Sequence, residues 1–128
     1  MGVETRMGDR RRYFRLVVLG LVLGMATDVS AVTMASFGRC LKSKGAVFYG
    51  ASWCPHCHAQ RETLGDAMDY VKYVECSVDD TRETTAACHA AKVSSYPTWK
   101  FADGSKESGE QSLEELAAKT GCELPKTD

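Results

Sequence analysis

A short apolar run that ends just before a C-x-x-C motif constrains the fold of this 128-residue chain more than any other feature. Residues 46–50 (AVFYG) are rich in β-forming side chains, which predicts a buried strand. The motif CPHC follows at residues 54–57, and Pro55 fits the first turn of a helix, where its missing N–H is harmless. A strand leading into a helix places Cys54 at the helix N-terminus, where free N–H groups and the helix dipole favour a thiolate.

The same motif is also compatible with two metal-based alternatives. CPHCH, Cys54 to His58, is the attachment pattern of a c-type haem, and Cys54, Cys57 and His58 are possible zinc ligands. A small c-type cytochrome is nearly all helix and needs a second axial ligand, for which His89 is the candidate left. Structural zinc usually takes paired knuckles, and the chain has no second C-x-x-C. We therefore favour a redox dithiol that needs no cofactor and no metal.

The remaining patterns predict the element order α, β, α, β, α, β, β, α, hence an α/β fold. Strands are expected at residues 46–50, 72–79, 98–101 and 106–110. Helices are expected at residues 34–44, 55–71, 82–93 and 113–120. Asp80 or Thr81 is expected to cap the third helix, whereas a capping box of Ser112 and Glu115 opens the last one and Gly121 ends it.

The first 31 residues have the pattern of a secretory signal peptide. A basic stretch at 10–15 precedes an apolar run at 16–26, and small residues at 29–31 precede a cleavage point. The apolar run is shorter than the roughly 20 residues of a transmembrane helix, and the alternative is an uncleaved N-terminal anchor through 16–26. All six cysteines follow this segment, which fits an oxidising compartment, the periplasm or the thylakoid lumen.

The domain organisation follows from these boundaries. Residues 32–45 are predicted to form an N-terminal helix and linker, residues 46–122 the folded domain, and residues 123–128 a tail. The formal net charge of −1 gives no sign of a basic surface, so no nucleic-acid partner is expected.

Several blocks of the sequence resemble a known superfamily. WCPHC, followed some forty residues later by YPT, resembles the thioredoxin superfamily, and the Pro-His dipeptide is similar to that of DsbA-type oxidases. FYGASWCPHCHAQ, YVECSVD, YPTWKFADGS and SGEQSLEELAAKTGC are similar to the thioredoxin-like domain associated with bacterial and plant homologues of vitamin K epoxide reductase. The resemblance implies a small thioredoxin-like fold with a central mixed four-stranded sheet flanked by helices, and a cis Tyr96–Pro97 bond beside the cysteine pair.

The implied function is that of an exported thiol–disulfide oxidoreductase. It would oxidise, or else reduce or isomerise, the cysteines of protein substrates with the Cys54–Cys57 pair. A separate, quinone-linked membrane partner resembling vitamin K epoxide reductase would re-oxidise it. The alternative from a different class is a redox-passive thioredoxin-like docking module of a membrane redox enzyme. Pro-His between the cysteines favours the enzyme, because a docking module does not need it.

The site residues have distinct expected roles. Cys54 is expected to be the exposed nucleophile and Cys57, one helical turn further on, the shielded resolving cysteine. The residues expected to tune the pair are Trp53, Pro55 and His56. Those expected to bind the substrate chain are Tyr96, Pro97 and Thr98. Thioredoxins and DsbA-type proteins carry a buried acid six residues before the first cysteine. Here that position is Phe48, so the proton of Cys57 would have to pass to water, His56 or His58.

The other four cysteines invite two interpretations. Cys76 and Cys88 could form a second redox pair or a structural disulfide. The resemblance implies a disulfide there, and we favour a structural one, worth about 3 kcal/mol for a loop of this size. Cys40 and Cys122 flank the domain and could pair, remain free or bond to a partner. In this fold the first and last helices tend to lie on opposite faces of the sheet, which argues against their pairing.

Overall fold

The structure, a computed structural model, describes residues 30–126. The predicted signal peptide or anchor therefore lies outside the described residues except for its last two positions, as do the last two residues of the predicted tail. In the part of the chain that is described, no helix is long and apolar enough to cross a membrane.

The elements follow the predicted order with one addition. The helices are α1 (Met34–Ser43), α2 (Pro55–Leu64), α3 (Ala86–Ala90) and α4 (Leu113–Thr120), and a 3-10 helix (Gly65–Asp69) follows α2. The strands are β1 (Val47–Gly50), β2 (Lys72–Glu75), β3 (Thr98–Lys100) and β4 (Lys106–Ser108). They form one sheet in the order β2-β1-β3-β4, in which β1 runs parallel to β2 and antiparallel to β3, and β4 is antiparallel to β3. The predicted α/β fold with a mixed four-stranded sheet is confirmed.

Local signals account for the ends of several helices. The predicted capping box of α4 is present, with Ser112 accepting from the Glu115 N–H, and Gly121 ends the helix with a φ of 75°. Thr33 and Ser36 form a second capping box at the start of α1, which the sequence analysis did not include. Each box satisfies backbone donors that a helix leaves free in its first turn.

Two predicted elements are shorter in the structure. The helix expected at 55–71 ends at Leu64, because Gly65 takes a φ of 47° and the chain continues as a 3-10 helix. The helix expected at 82–93 covers only α3, and its N-cap is Thr85 rather than Asp80 or Thr81. Asp80 instead has a φ of 60°, a conformation that belongs to a turn and not to the approach of a helix. The second strand ends at Glu75 rather than at 79, and Ser77 pairs instead with Thr84 in an isolated bridge.

The main core cluster lies between the sheet and three of the helices. Phe48 of β1 and Trp99 of β3 are fully buried and stack with ring centroids 5.2 Å apart. Helices α1, α2 and α4 close over them with fully buried Leu41, Leu64 and Leu116. Because α1 contributes to this core and the compact unit begins at Ala31, α1 is part of the folded domain and not a linker to it.

The structure joins Cys40 to Cys122, with Cα atoms 5.9 Å apart, so the argument against their pairing was wrong. Helices α1 and α4 contribute to the same core cluster, and Gly121 turns the chain so that Cys122 is buried against it. The Lys126 N–H also donates to the Val32 carbonyl at 3.2 Å. The first and last described segments are therefore held side by side.

A smaller cluster surrounds the second disulfide. Cys76 and Cys88 are bonded, as the resemblance implied, with Cα atoms 5.5 Å apart. Both are buried with Val93, and Tyr49 and Tyr96 pack partly against them. Whether this disulfide is structural or redox-active stays a prediction.

Candidate active site

Cys54 and Cys57 are the two free thiols among six cysteines, the other four being paired in disulfides. Cys54 is the N-cap of α2, with extended backbone angles, and Pro55 occupies the first turn. The N–H groups of Cys57 and His58 donate to the Cys54 carbonyl at 3.1 and 3.2 Å. This is the helix start that the sequence predicted. The Cys54 side chain makes no capping hydrogen bond, so its sulfur is not bound to the backbone of the helix.

Both sulfur-bearing residues are more enclosed than expected. Cys54 is 6% exposed and Cys57 only 1%, so their order is as predicted but Cys54 is itself buried. The Cys54 thiol lies against the Tyr96 carbonyl, with Sγ and O 3.6 Å apart. The half-buried Trp53 ring meets the Tyr96 ring edge-on at 6.0 Å, beside the sulfur. Trp53 and Tyr96 therefore form the surface directly beside the Cys54 sulfur.

The segment predicted to bind substrate, Tyr96 to Thr98, lies partly beside Cys54 and partly within the sheet. The Tyr96–Pro97 peptide bond is cis, as the resemblance implied, and Pro97 is buried. Thr98 is 3% exposed and lies within the sheet, in register with Tyr49 of β1 and Ser108 of β4. Tyr96 thus presents its carbonyl to the cysteine pair, whereas Thr98 has its backbone between two strands.

The thiol of Cys57 is held in its protonated form. Burial is the largest cause that raises the pKa of Cys57 to about 12, a hydrogen bond to the Ala51 backbone opposes it, and Cys54 and the Glu75 carboxylate add to it. Because the thiolate is the reactive form of cysteine, Cys57 is a poor nucleophile at neutral pH. This leaves Cys54 as the candidate for the first attack.

Glu75, at the end of β2, is a site residue that the sequence analysis missed. Its Oε1 accepts from the Ser52 N–H at 3.0 Å and from the Ser77 N–H at 2.9 Å, and its Oε2 accepts from the Tyr73 hydroxyl at 2.5 Å. Burial raises the pKa of Glu75, but the hydrogen bonds from Ser77, Tyr73 and Ser52 outweigh it and hold the pKa below its usual value. A carboxylate therefore stays next to the turn that carries Cys54. Only the strand register, Gly50 opposite Glu75, places it there.

The two histidines of the motif both have polar partners. His56 Nδ1 lies 2.8 Å from Glu110 Oε2 at an exposed position, a hydrogen bond that becomes an ion pair when His56 is protonated. His58 Nε2 lies 2.7 Å from the Ser52 carbonyl, across the turn before Cys54. Each histidine thus connects α2 to a segment on one side of the cysteine pair.

Gln60 is a second residue that the sequence analysis missed. Its side chain is fully buried, and its Oε1 accepts from Trp99 Nε1 at 3.1 Å and from the Gln111 N–H at 2.7 Å. Its Nε2 donates to the Gln111 carbonyl at 2.9 Å. Gln60 therefore ties α2 to the segment that carries Glu110, the partner of His56. Its spacing from Cys57 and Leu64, on one buried face of α2, was a usable signal.

The loop between β2 and α3 covers the other side of the site. The Arg82 guanidinium carbon lies 3.8 Å from the centroid of the Trp53 ring, which is cation–π geometry. The Ser52 hydroxyl donates to Asp80 of the same loop. The Cys76–Cys88 disulfide closes this loop, so it also holds one wall of the site in place.

Two structural observations concern the haem and zinc alternatives. Between residues 30 and 126, no three His, Cys, Asp or Glu side chains form a group that could hold a metal ion. The four-stranded sheet also differs from the nearly all-helical chain expected of a small c-type cytochrome.

The fold and the cysteine pair together define a class of protein. The Thioredoxin family profile matches residues 28–120, and the chain belongs to the thioredoxin family. A similar protein is thiol-disulfide oxidoreductase LTO1 of Arabidopsis thaliana, which is 41% identical over 127 residues. The match covers 95% of this chain and 31% of that protein, so the chain spans about a third of the relative's length.

Proposed function

We propose that the chain is a thiol–disulfide oxidoreductase in which Cys54 and Cys57 are the redox pair. The observation that carries the proposal is their state and position: they are the two unpaired cysteines, at the N-terminus of α2 and against Tyr96. Membership of the thioredoxin family and the name of the Arabidopsis relative support the same reaction class.

In the oxidising direction the reaction begins with a Cys54–Cys57 disulfide. A substrate thiolate attacks Cys54 Sγ, the bond to Cys57 breaks, and Cys57 leaves with the electron pair and takes up a proton. Burial, the largest cause that raises the pKa of Cys57, favours the protonated thiol at this step as well. The second substrate thiolate then attacks the substrate sulfur of the mixed disulfide, and Cys54 leaves. The substrate gains one disulfide, and the cysteine pair gains two electrons.

The surface next to Cys54 suits an extended substrate chain. Among the described residues, the Tyr96 carbonyl accepts only the Cys54 thiol, and a substrate N–H can take that place in a strand-like pairing. The Trp53 ring offers an apolar surface beside it. Pro97 holds the backbone at this point and is buried. The substrates we propose are therefore proteins with a cysteine in an extended, accessible segment.

We further propose that the chain works as an oxidant in an exported location, the periplasm or the thylakoid lumen. The signal-peptide pattern of residues 1–31 and the Pro-His dipeptide support this proposal. The resemblance to domains associated with vitamin K epoxide reductase homologues supports a quinone-linked membrane protein of that kind as the partner that removes the two electrons. N-terminal sequencing of protein recovered from the exported fraction tests the location: it should begin near Val32, or retain 16–26 if these residues are an anchor.

Trapping of mixed disulfides tests the roles of the two cysteines. Incubated with a protein that has an accessible disulfide, the Cys57→Ala variant should accumulate a mixed disulfide through Cys54, because no resolving thiol remains. The Cys54→Ala variant should not. Equal trapping by both variants would refute the assignment.

The reduction potential of the wild-type pair then separates the two function classes. Measured by equilibration with glutathione, the reduction potential of an oxidant should lie at about −120 to −180 mV, the range of known oxidising members. A value below about −250 mV would indicate a reductase. A pair that exchanges with neither glutathione nor protein thiols would support the docking module instead.

A further inference from the structure

Two side chains of β2 lie over the beginning of the turn that carries Cys54. In the parallel register, Phe48 is opposite Tyr73 and Gly50 is opposite Glu75. The Tyr73 ring meets Phe48 edge-on at 5.1 Å, and a Cβ on Gly50 would lie 2.8 Å from the Tyr73 ring. A glycine at position 50 therefore leaves the space into which Tyr73 and Glu75 pack against the active-site strand.

The Glu75 carboxylate is fixed rather than free. It accepts from the Tyr73 hydroxyl, from the backbone and hydroxyl of Ser77, and from the Ser52 N–H. Among residues 30–126 no cation lies within ion-pair distance of it. Glu75 thus places a negative charge that is hydrogen-bonded but not ion-paired next to Ser52, two positions before Cys54.

The same turn connects Glu75 to the second cysteine. The Ser52 N–H donates to Glu75 Oε1 at 3.0 Å. In the same turn the Cys54 N–H donates to the Ala51 carbonyl at 3.0 Å, and the Cys57 N–H donates to the Cys54 carbonyl at 3.1 Å. These backbone bonds join the segment that holds the carboxylate to the one that carries the Cys57 thiol. The charged or titratable groups around them, besides Cys54, are His58 through the Ser52 carbonyl, Arg61 of α2 over the Tyr73 ring, Tyr73 itself, and Asp80 through the Ser52 hydroxyl.

We infer that Glu75 is a positioning residue that holds the turn before Cys54 and whose negative charge, placed beside the cysteine pair, helps to make Cys57 less reactive than Cys54. The inference rests on the proposed roles of Cys54 and Cys57. Its physical basis is that a like charge nearby disfavours a thiolate. Burial is the largest cause of the raised pKa of Cys57, and the charge of Glu75 acts in the same direction.

The Glu75→Gln variant separates charge from geometry. Its amide oxygen can still accept from Ser52 and Ser77, but the negative charge is gone. The protein, reduced only at Cys54 and Cys57, is mixed with 4,4′-dithiodipyridine. Attack by Cys54 releases one thiopyridone. Cys57 then loses its proton, attacks the Cys54 sulfur and releases the second.

The second release should be faster in Glu75→Gln at the same pH. If the pKa of Cys57 falls by one unit, the thiolate fraction rises about tenfold, while the lower basicity makes each thiolate about threefold less reactive. The net expectation is an acceleration of roughly threefold. Glu62→Gln is the matched control, because it removes the same charge from an exposed position on α2 and should leave the rate unchanged. A second release that is unchanged or slower in Glu75→Gln would overturn the inference.

A second measurement on the wild-type protein covers the case in which Glu75→Gln does not fold. Hydrogen bonds hold the pKa of Glu75 below its usual value, so the carboxylate takes a proton, and its charge disappears, only at a pH below the usual carboxyl range. Once that charge is gone, the rate of the second release should fall by less than tenfold for each pH unit. The Asp80→Asn variant should show the same change of slope. A constant tenfold slope overturns the inference. A wild-type protein with no second release at all would instead refute the proposed function.

Discussion

Replacing Gln60 with leucine should destabilise the domain by about 2–4 kcal/mol. The substitution removes both ends of a buried amide and strands the Trp99 indole N–H, which water cannot reach because Trp99 is fully buried. An unsatisfied buried donor costs about 1–3 kcal/mol, and each of the two lost bonds to the Gln111 backbone is worth about 0.5–1.5 kcal/mol. Burial of the leucine side chain offsets part of the sum. The loss is large beside a total stability of about 5–15 kcal/mol.

Urea unfolding followed by tryptophan fluorescence measures this loss. The slope of the free energy of unfolding against urea concentration should be unchanged, which would show that the native state is still compact. Gln111→Leu is the matched control. It makes the same chemical change, but the Gln111 side chain has only a 3.3 Å bond to the Gly109 carbonyl, and its backbone bonds to Gln60 remain. We expect it to cost less than about 0.5 kcal/mol, as surface changes usually do. If Gln60→Leu loses no more stability than Gln111→Leu, the buried amide does not connect α2, β3 and the segment after β4 as described.

Two further predictions concern packing and the second disulfide. Alanine normally stabilises a helix by about 1 kcal/mol relative to glycine. Gly38→Ala should instead lower the free energy of unfolding by more than about 1 kcal/mol, because its Cβ would overlap the Ala67 backbone. A more stable variant would contradict the close approach of α1 to the 3-10 helix. Graded reduction, with alkylation and mass spectrometry, should open the Cys54–Cys57 bond of the oxidised protein before Cys76–Cys88, since Cys54 is 6% exposed whereas neither Cys76 nor Cys88 exceeds 1%. Opening of both at one potential would favour a second redox pair.

The elements that local sequence predicted best are those whose ends depend on neighbouring residues. Helix α4 begins and ends where its capping box and Gly121 place it, because those interactions span three or four residues. Helix α3 was predicted four residues too early. Its approach depends on the bridge between Ser77 and Thr84 and on the contact of Asp80 with Ser52, which is 28 positions away in sequence. No local pattern contains that information.

The candidate site divides in the same way. The CPHC motif identified the cysteine pair and its helix start, because strand, turn and helix are continuous in sequence. Glu75 depends on the register between β1 and β2, and the role of Gln60 depends on the packing of α2 against β3, so both required three-dimensional contacts. The pairing of Cys40 with Cys122 was missed because a general tendency of the fold was applied to a chain whose first and last helices share one core cluster.

The Cys40–Cys122 disulfide also determines how the domain would carry a mechanical load. The bond joins residues 82 positions apart, and the whole sheet and the candidate dithiol lie between them in sequence. A pull applied at residues 32 and 126 would pass through the sulfur–sulfur bond rather than through the strands. Only residues outside the bond, at 32–39 and 123–126, could extend, by at most about 3.5 Å each. Tension from anything attached at either end would therefore not pull directly on the strands or on the Cys54–Cys57 segment for as long as that bond is intact.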